Sequence, residues 1–347
     1  MSFDEGSASP GPRIVLIGLG PTAASALEAL QDRFAVVALV RGGDDEVVAT
    51  ARSRGIRVCA DTHVAGVAEL IGRIRPDCVV VSSYDRVLPG SLLRVCPFVN
   101  VHYAPLPRYR GRATVNWAII NGEPDAYLSI HCLTPELDSG GILHQQALPI
   151  GPRDTVGDLY ARLNELQRAA LGEAVTMRLK GYEGEPQADA SATYACSRVP
   201  DDGEIDWGAP TKQIDRLVRA LTDPFPGAYT FLGLEPLWIR RAAPAADAPR
   251  YEGRVPGRVV RVSPAGSSAD VLTGDGTLRL FEVSRDDGPP VPASDVLRSV
   301  RQSLGLRKTD LVRRLVALER DMAYLRADGG GRQQAHTGGS ECAAVSF

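Results

Sequence analysis

Asn100 and His102 stand two apart in the short apolar run from Cys96 to His102. Side chains at that spacing on a strand share a face, so the two project together. An amide that donates to a developing oxyanion, beside an imidazole that moves a proton, is a pair suited to acyl transfer to an amine. The pair lacks an acid to orient the ring. A second apolar run, Tyr127 to Leu133, leads into Thr134-Pro-Glu-Leu-Asp-Ser-Gly-Gly141, a turn-forming sequence that brings Asp138 to a strand mouth. An isolated Asn-x-His is more often a structural pair than a catalytic one.

The elements that must position these groups read as an α/β unit. Residues 13–18 form a buried strand, followed by a turn and an amphipathic run to Leu30. Strands at 34–40, 56–60 and 77–83 then alternate with helices at 44–53 and 64–73. This βαβ order predicts a parallel sheet with ligands at the carboxyl ends of its strands, where residues 84–89 lie. A short helix follows at 113–121, and Thr155 caps a long one from Val156 to about Leu179. The small, polar stretch 191–202 reads as a linker.

Short strands separated by Gly and Pro then predict a small OB-like β-barrel over 203–306. A helix at 307–327 carries Leu311, Leu315, Leu318, Met322 and Leu325 along one stripe, to dock on the barrel or pair with a second copy in a homodimer. Residues 1–11 and 328–347 are expected to be flexible, which leaves 12–190 as the catalytic domain.

Gly18-x-Gly20-x-x-Ala23 after a strand looks like a dinucleotide fingerprint. Arg41-Gly42-Gly43 stands where the acidic ribose ligand belongs, so the turn reads as architecture and a nicotinamide oxidoreductase is only a rival class. Composition excludes more: 39 basic against 42 acidic residues give a net charge of −3, which offers nucleic acid no bulk attraction. The six scattered cysteines contain no Cys-x-x-Cys and suit a reduced, cytoplasmic protein. No apolar run is long enough for a membrane span. His131 and His144 fit no zinc spacing, so no metal is expected.

Asn100-x-His102-x-x-x-Leu106-Pro-x-Tyr109-Arg-Gly-Arg112, then Asn116-Trp117 and Asn121-Gly-Glu123, then Leu137-Asp138-x-Gly140, in this order, resembles the folate-dependent formyltransferases. Asp206-Trp207 and Pro224-x-Pro-Gly-Ala228 are similar to the family's carboxyl-terminal domain, closest to the amino-sugar members. One departure from the family is Tyr103-Ala104-Pro105, where many members have a Ser-Leu-Leu-like run.

The resemblance implies a Rossmann-like catalytic domain and 10-formyltetrahydrofolate as formyl donor, with Asn100, His102 and Asp138 as the catalytic set. It implies a pterin pocket lined by Tyr84, Asp85, Arg86 and Leu88 and closed by Thr134, Pro135, Glu136 and Leu137, with Arg112 binding folate. It also implies a primary-amine acceptor, taken to be a nucleotide-linked amino sugar such as a UDP-linked 4-amino-4-deoxy-arabinose, with the loop 108–112 supplying arginines for the diphosphate. Alternatives are an amino-acid or siderophore amine such as hydroxyornithine, methionyl-tRNA, or water in a deformylase. Methionyl-tRNA formyltransferases carry a basic insertion after the second strand, where this chain has Arg41-Gly-Gly-Asp-Asp-Glu46.

Overall fold

The computed structural model of the protein describes residues 11–285 and 288–332. They fall into two compact units, one running to Glu204 and including Lys212–Ala228, the other made of Ile205–Thr211 and the chain from Tyr229 onward. The segment 212–228, read from sequence as the entry to the second unit, therefore belongs with the first.

In the first unit β1 (Arg13–Ile17), α1 (Ala23–Gln31), β2 (Ala35–Val40), α2 (Glu46–Ser53), β3 (Arg57–Cys59), α3 (Val64–Ile74) and β4 (Cys78–Ser82) alternate as the hydrophobic pattern requires. There follow α4 (Gly90–Leu93), β5 (Phe98–His102), β6 (Arg110–Gly111), α5 (Thr114–Asn121), β7 (Asp125–Cys132), β8 (Ile142–Pro149), α6 (Val156–Leu179), β9 (Tyr194–Ala195) and α7 (Thr211–Ala220).

The seven-stranded sheet has the order β3-β2-β1-β4-β5-β7-β8. It is parallel from β3 to β5, but β7 and β8 run antiparallel, which corrects the expectation of a parallel sheet. The reason is the short connection through α5, which turns the chain back beside β5 instead of carrying it across a face. Alternate strand residues Val15, Ile17, Ala38, Val40, Val79, Val81 and Phe98 form one core with Val67, Leu70 and Ile71 of α3. The opposite parity, including Ile14, Leu16, Leu39, Val80 and Val99, is fully buried too, so helices cover both faces. Thr155 and Asp158 close a reciprocal capping box on α6, a device worth about 1 kcal/mol.

The stretch 191–202 is not a free linker. Its β9 pairs with β6 in a two-stranded ladder, Arg110 opposite Tyr194 and Gly111 opposite Ala195.

The second unit holds β10 (Ala228–Leu232), β11 (Glu235–Pro244), β12 (Val259–Ser263), β13 (Ser268–Leu272), β14 (Thr277–Ser284), β15 (Val291–Pro292), α8 (Ala293–Val296) and α9 (Lys308–Arg332). Its antiparallel sheet runs β10-β11-β14-β13-β12, with β15 on β14. No ladder closes it into the expected barrel among the described residues. Isolated bridges Leu232↔Leu304 and Arg258↔Ser303 instead place residues 303–304 between its two end strands. The last helix continues through Arg332, beyond the expected end at 327, and its apolar stripe is exposed instead of docked. Of the segments expected to be flexible, 1–11 and 328–347, residues 1–10 and 333–347 lie outside the described residues. Among the described residues no helix is long and apolar enough to cross a membrane.

Candidate active site

Sheet order reverses between β1 and β4, and ligand sites in open α/β sheets lie at the carboxyl ends of strands at such a switch point. Here the loops after β1 and β4 and the end of β5 enclose a cleft of about 980 Å³. Asn100, His102 and Asp138 line it, and so do Tyr84, Asp85, Arg86, Leu88, Arg112, Thr134, Pro135, Glu136 and Leu137. Every candidate site residue read from the sequence thus reaches one cavity, because each sits on a loop or strand end at the same edge of the sheet.

β5 carries Phe98 into the core, with Asn100 and His102 on that same face nearer the strand's carboxyl end. Asp138 arrives from the turn after β7 with a left-handed backbone, φ 48°. All three are buried. Asn100 Nδ2 donates to Asp138 Oδ1 at 3.3 Å and to His131 Nε2 at 3.0 Å. His131 Nδ1 faces the Cys132 carbonyl at 2.8 Å and therefore donates, which leaves Nε2 as an acceptor in the neutral ring. His102 Nε2 likewise donates to the Tyr109 carbonyl at 2.8 Å, and its Nδ1 lies 3.8 Å from Asp138 Oδ2. Burial disfavours the Asp138 charge, but the neighbouring His102 and His131 and the Gly111 N–H outweigh it and hold the carboxyl well below the usual range. Asp138 is a fixed anion.

His131 is the residue whose role the sequence concealed. It sits directly opposite Asn100 in the β5–β7 ladder, and cross-strand partners on one face are in contact. That register is invisible in the sequence, where His131 reads as one more polar residue within an apolar strand. Among the described residues no group of three or more His, Cys, Asp or Glu is placed to hold a metal.

The Asp138 turn is positioned from behind. Gln187 Nε2 donates to the Asp138 and Gly140 carbonyls, both at 2.8 Å. Arg110 donates in turn to Gln187 Oε1 at 2.8 Å and pairs with Asp189 at 2.7 Å. The Gly111 N–H reaches Asp138 Oδ2 at 2.8 Å. Gly111 has φ +112°, and a Cβ there would lie 2.6 Å from the Ala195 carbonyl oxygen, so only glycine fits between β9 and the carboxylate.

The arginines divide accordingly, which corrects the reading of 108–112 as a phosphate-binding loop. Arg108 pairs with Glu123 at 2.6 Å, Arg110 is buried in the brace just described, and Arg112 alone of the three lines the cleft. A cation the sequence did not reveal is Arg198, in the supposed linker. Its guanidinium lies 5.1 Å from the centre of the Trp117 ring, and it lines the cleft with Ala195, Ser197, Val199 and Pro200. Trp117 Nε1 donates to the Cys196 carbonyl and so fixes this segment as well. On another wall Tyr103, Tyr160 and Phe225 form an aromatic row with ring centres 5.9 and 6.1 Å apart. Tyr103 turns its hydroxyl toward Gln167 and Asn164 of α6. Near the Gly18 turn, Arg41 donates to the Gly18 and Gly20 carbonyls and pairs with Asp45, so it braces the turn.

Comparison with known proteins agrees with this architecture. Residues 46–175 match the family model "Formyl transferase" and residues 199–301 match "Formyl transferase, C-terminal domain". A methionyl-tRNA formyltransferase of Geobacter sulfurreducens is 34% identical over 240 residues, 68% of this chain and 73% of that protein. Among solved structures, HypX from Aquifex aeolicus in complex with tetrahydrofolic acid superposes with a TM-score of 0.57 at 19% identity, over 84% of this chain and 47% of that one. This chain thus spans about half the length of HypX. A sugar N-formyltransferase from Shewanella sp. gives a TM-score of 0.52 at 18% identity, over 66% of this chain and 97% of that one. At these identities the structures speak for the fold alone, whereas the sequence relative and the paired domain models show that the chain belongs to the formyltransferase family, as a folate-dependent enzyme.

Proposed function

We propose that Asn100, His102 and Asp138 transfer the formyl group of 10-formyltetrahydrofolate to a primary amine carried on a nucleotide-linked sugar. The observation that carries the reading is the buried contact set of Asn100, Asp138 and His102 in a cleft large enough for both substrates. The donor fits the walls: Leu88 is buried at the back, while Val87 and Leu137 expose apolar side chains that a flat pterin would cover. Arg86 and Arg112 supply charge for its carboxylates. Bound there, the donor supplies an activated formyl carbon.

As the amine nitrogen bonds that carbon, the carbonyl electrons move onto oxygen. Asn100 Nδ2 gives up its longer, 3.3 Å bond to Asp138 and donates to that oxygen. His131 keeps the other amide hydrogen and so holds the amide plane. His102 Nε2 is occupied by the Tyr109 carbonyl, so the proton leaving the amine goes to Nδ1, where Asp138 faces the charged ring. His102 then returns that proton to the folate nitrogen as its bond to the formyl carbon breaks. Gln187 acts through Asp138. Gln187→Ala is expected to lower kcat roughly tenfold to a hundredfold with little change in donor KM, because a small displacement of the carboxylate misaligns the proton site. Steady-state kinetics decides, and an unchanged kcat would remove Gln187 from the positioning brace.

The acceptor assignment rests on charge. The segment after β2 is short and acidic, its Arg41 is spent on the Gly18 turn and Asp45, and the chain carries −3. An aminoacyl-tRNA acceptor draws its affinity from phosphate contacts, whereas a sugar diphosphate needs only one or two guanidiniums, and Arg198 lines the cleft to offer one. A methionyl-tRNA acceptor is the second reading, favoured by the 34% identical relative. Incubation with donor and either UDP-linked amino sugars, hydroxyornithine or methionyl-tRNA, read by mass, should show formylation of a sugar nucleotide. Efficient formylation of methionyl-tRNA or hydroxyornithine, with none of any amino-sugar nucleotide, would overturn the sugar assignment and leave formyl transfer intact.

A further inference from the structure

Among the described residues, nothing in its own unit covers the apolar side chains that the last helix carries. Leu311, Leu315, Leu318, Met322 and Leu325 follow one another at steps of four, three, four and three, and between 41% and 68% of each is exposed. A helix that covers the core of its own domain carries a broad stripe with a period of 3.6 residues. A strict 3.5-residue period marks instead the narrow seam along which two helices wind around each other. α9 is 25 residues long, about 37 Å at 1.5 Å per residue, and the seam occupies two heptads of it.

We propose that α9 joins a second copy of this chain in a parallel, two-stranded coiled coil. With Leu315 and Met322 at the a positions, Leu311, Leu318 and Leu325 take the d positions. The flanking g positions are then Arg314 and Asp321, and the e positions Val312 and Glu319. In a parallel pair the g residue of one helix faces the e residue five places later on the other, so Arg314 meets Glu319 of the opposite copy, and the two-fold axis makes that contact twice. The charges are opposite, as attraction between like chains requires. In an antiparallel pair g faces g and e faces e, and this match is lost. The ion pair that α9 makes on its own surface, Arg313 with Asp310, lies at f and c, away from the seam. A second copy is therefore the occupant whose sequence complements both the seam and its flanks.

Two heptads give a modest interface, so association is expected on the order of micromolar. Sedimentation equilibrium of the full chain from roughly 1 to 100 µM should show the mass rising from 37.1 kDa toward twice that value. Leu315→Asp combined with Leu318→Asp should hold the chain at the monomer mass with an unchanged circular-dichroism spectrum, since both side chains are exposed. Arg314→Glu and Glu319→Arg should each weaken dimerisation roughly tenfold, because two symmetric attractions become repulsions. Combined, they should restore it. A monomer throughout, a dimer that survives the two aspartates, or a double charge swap no tighter than the single ones would overturn the proposal.

Discussion

His102→Ala and Asp138→Asn are each expected to lower turnover by about 10³-fold while donor affinity changes by no more than a few-fold. Positioned general acid–base groups contribute roughly 10²–10⁴ to rate, and both residues line the same cleft as the loops 84–88 and 134–137, where the proposed mechanism has them act on the proton and not on the pterin. The two losses should not add. In the proposed mechanism His102 carries the proton only with the Asp138 carboxylate 3.8 Å from Nδ1, so once that charge is gone the imidazole has little left to lose, as for residues that act as a unit. A double variant about a thousandfold slower than either single one would show that the two act separately. Asp138→Asn keeps the shape of the turn and removes only the charge, which makes it the cleaner probe.

Gly140→Ala should cost both stability and activity. The Cβ it introduces would stand 1.9 Å from the Cys132 carbonyl oxygen and 2.7 Å from its carbon. Both are backbone atoms at the end of β7, so neither yields by a change of rotamer. The turn must move, and with it go the Gln187 bonds to the Asp138 and Gly140 carbonyls and the left-handed conformation of Asp138. Overpacking against backbone together with a lost buried hydrogen bond is worth roughly 2–4 kcal/mol. Denaturant unfolding should record that loss, and kcat should fall at least a hundredfold in the fraction that remains folded. Ala in place of Gly72, where a Cβ meets nothing within 4 Å, should instead be neutral or slightly stabilising.

What was legible in the sequence was what depends on neighbours along the chain. The alternation at residues 98–102 puts Asn100 and His102 on one face without reference to any other strand. Thr155 announces the start of α6, and the strand-loop order brings residues 84–89 and 134–138 to one edge of the sheet. What was hidden depends on register and on distant pairing. His131 gains its meaning only opposite Asn100. The segment 191–202, small and polar, looks like a tether because its two-residue ladder with Arg110–Gly111 carries no periodicity. The same pairing turns Arg110 inward, so three clustered arginines that look alike in sequence have three different fates. The barrel expectation has a related outcome: turn signals reveal short strands, but whether their sheet closes depends on pairing between distant ends, where only isolated bridges at residues 303–304 are found among the described residues.

In the proposed mechanism the buried Asp138 charge acts on formyl transfer and not on donor binding. One preparation of Asp138→Asn suffices to check this, by measuring both the dissociation constant of a folate and kcat with the amine that the wild-type chain formylates fastest. A folate affinity within about threefold of wild type and a kcat lower by about 10³ are expected. A kcat within tenfold of wild type, or a loss of folate binding that accounts for the whole defect, would contradict the mechanism.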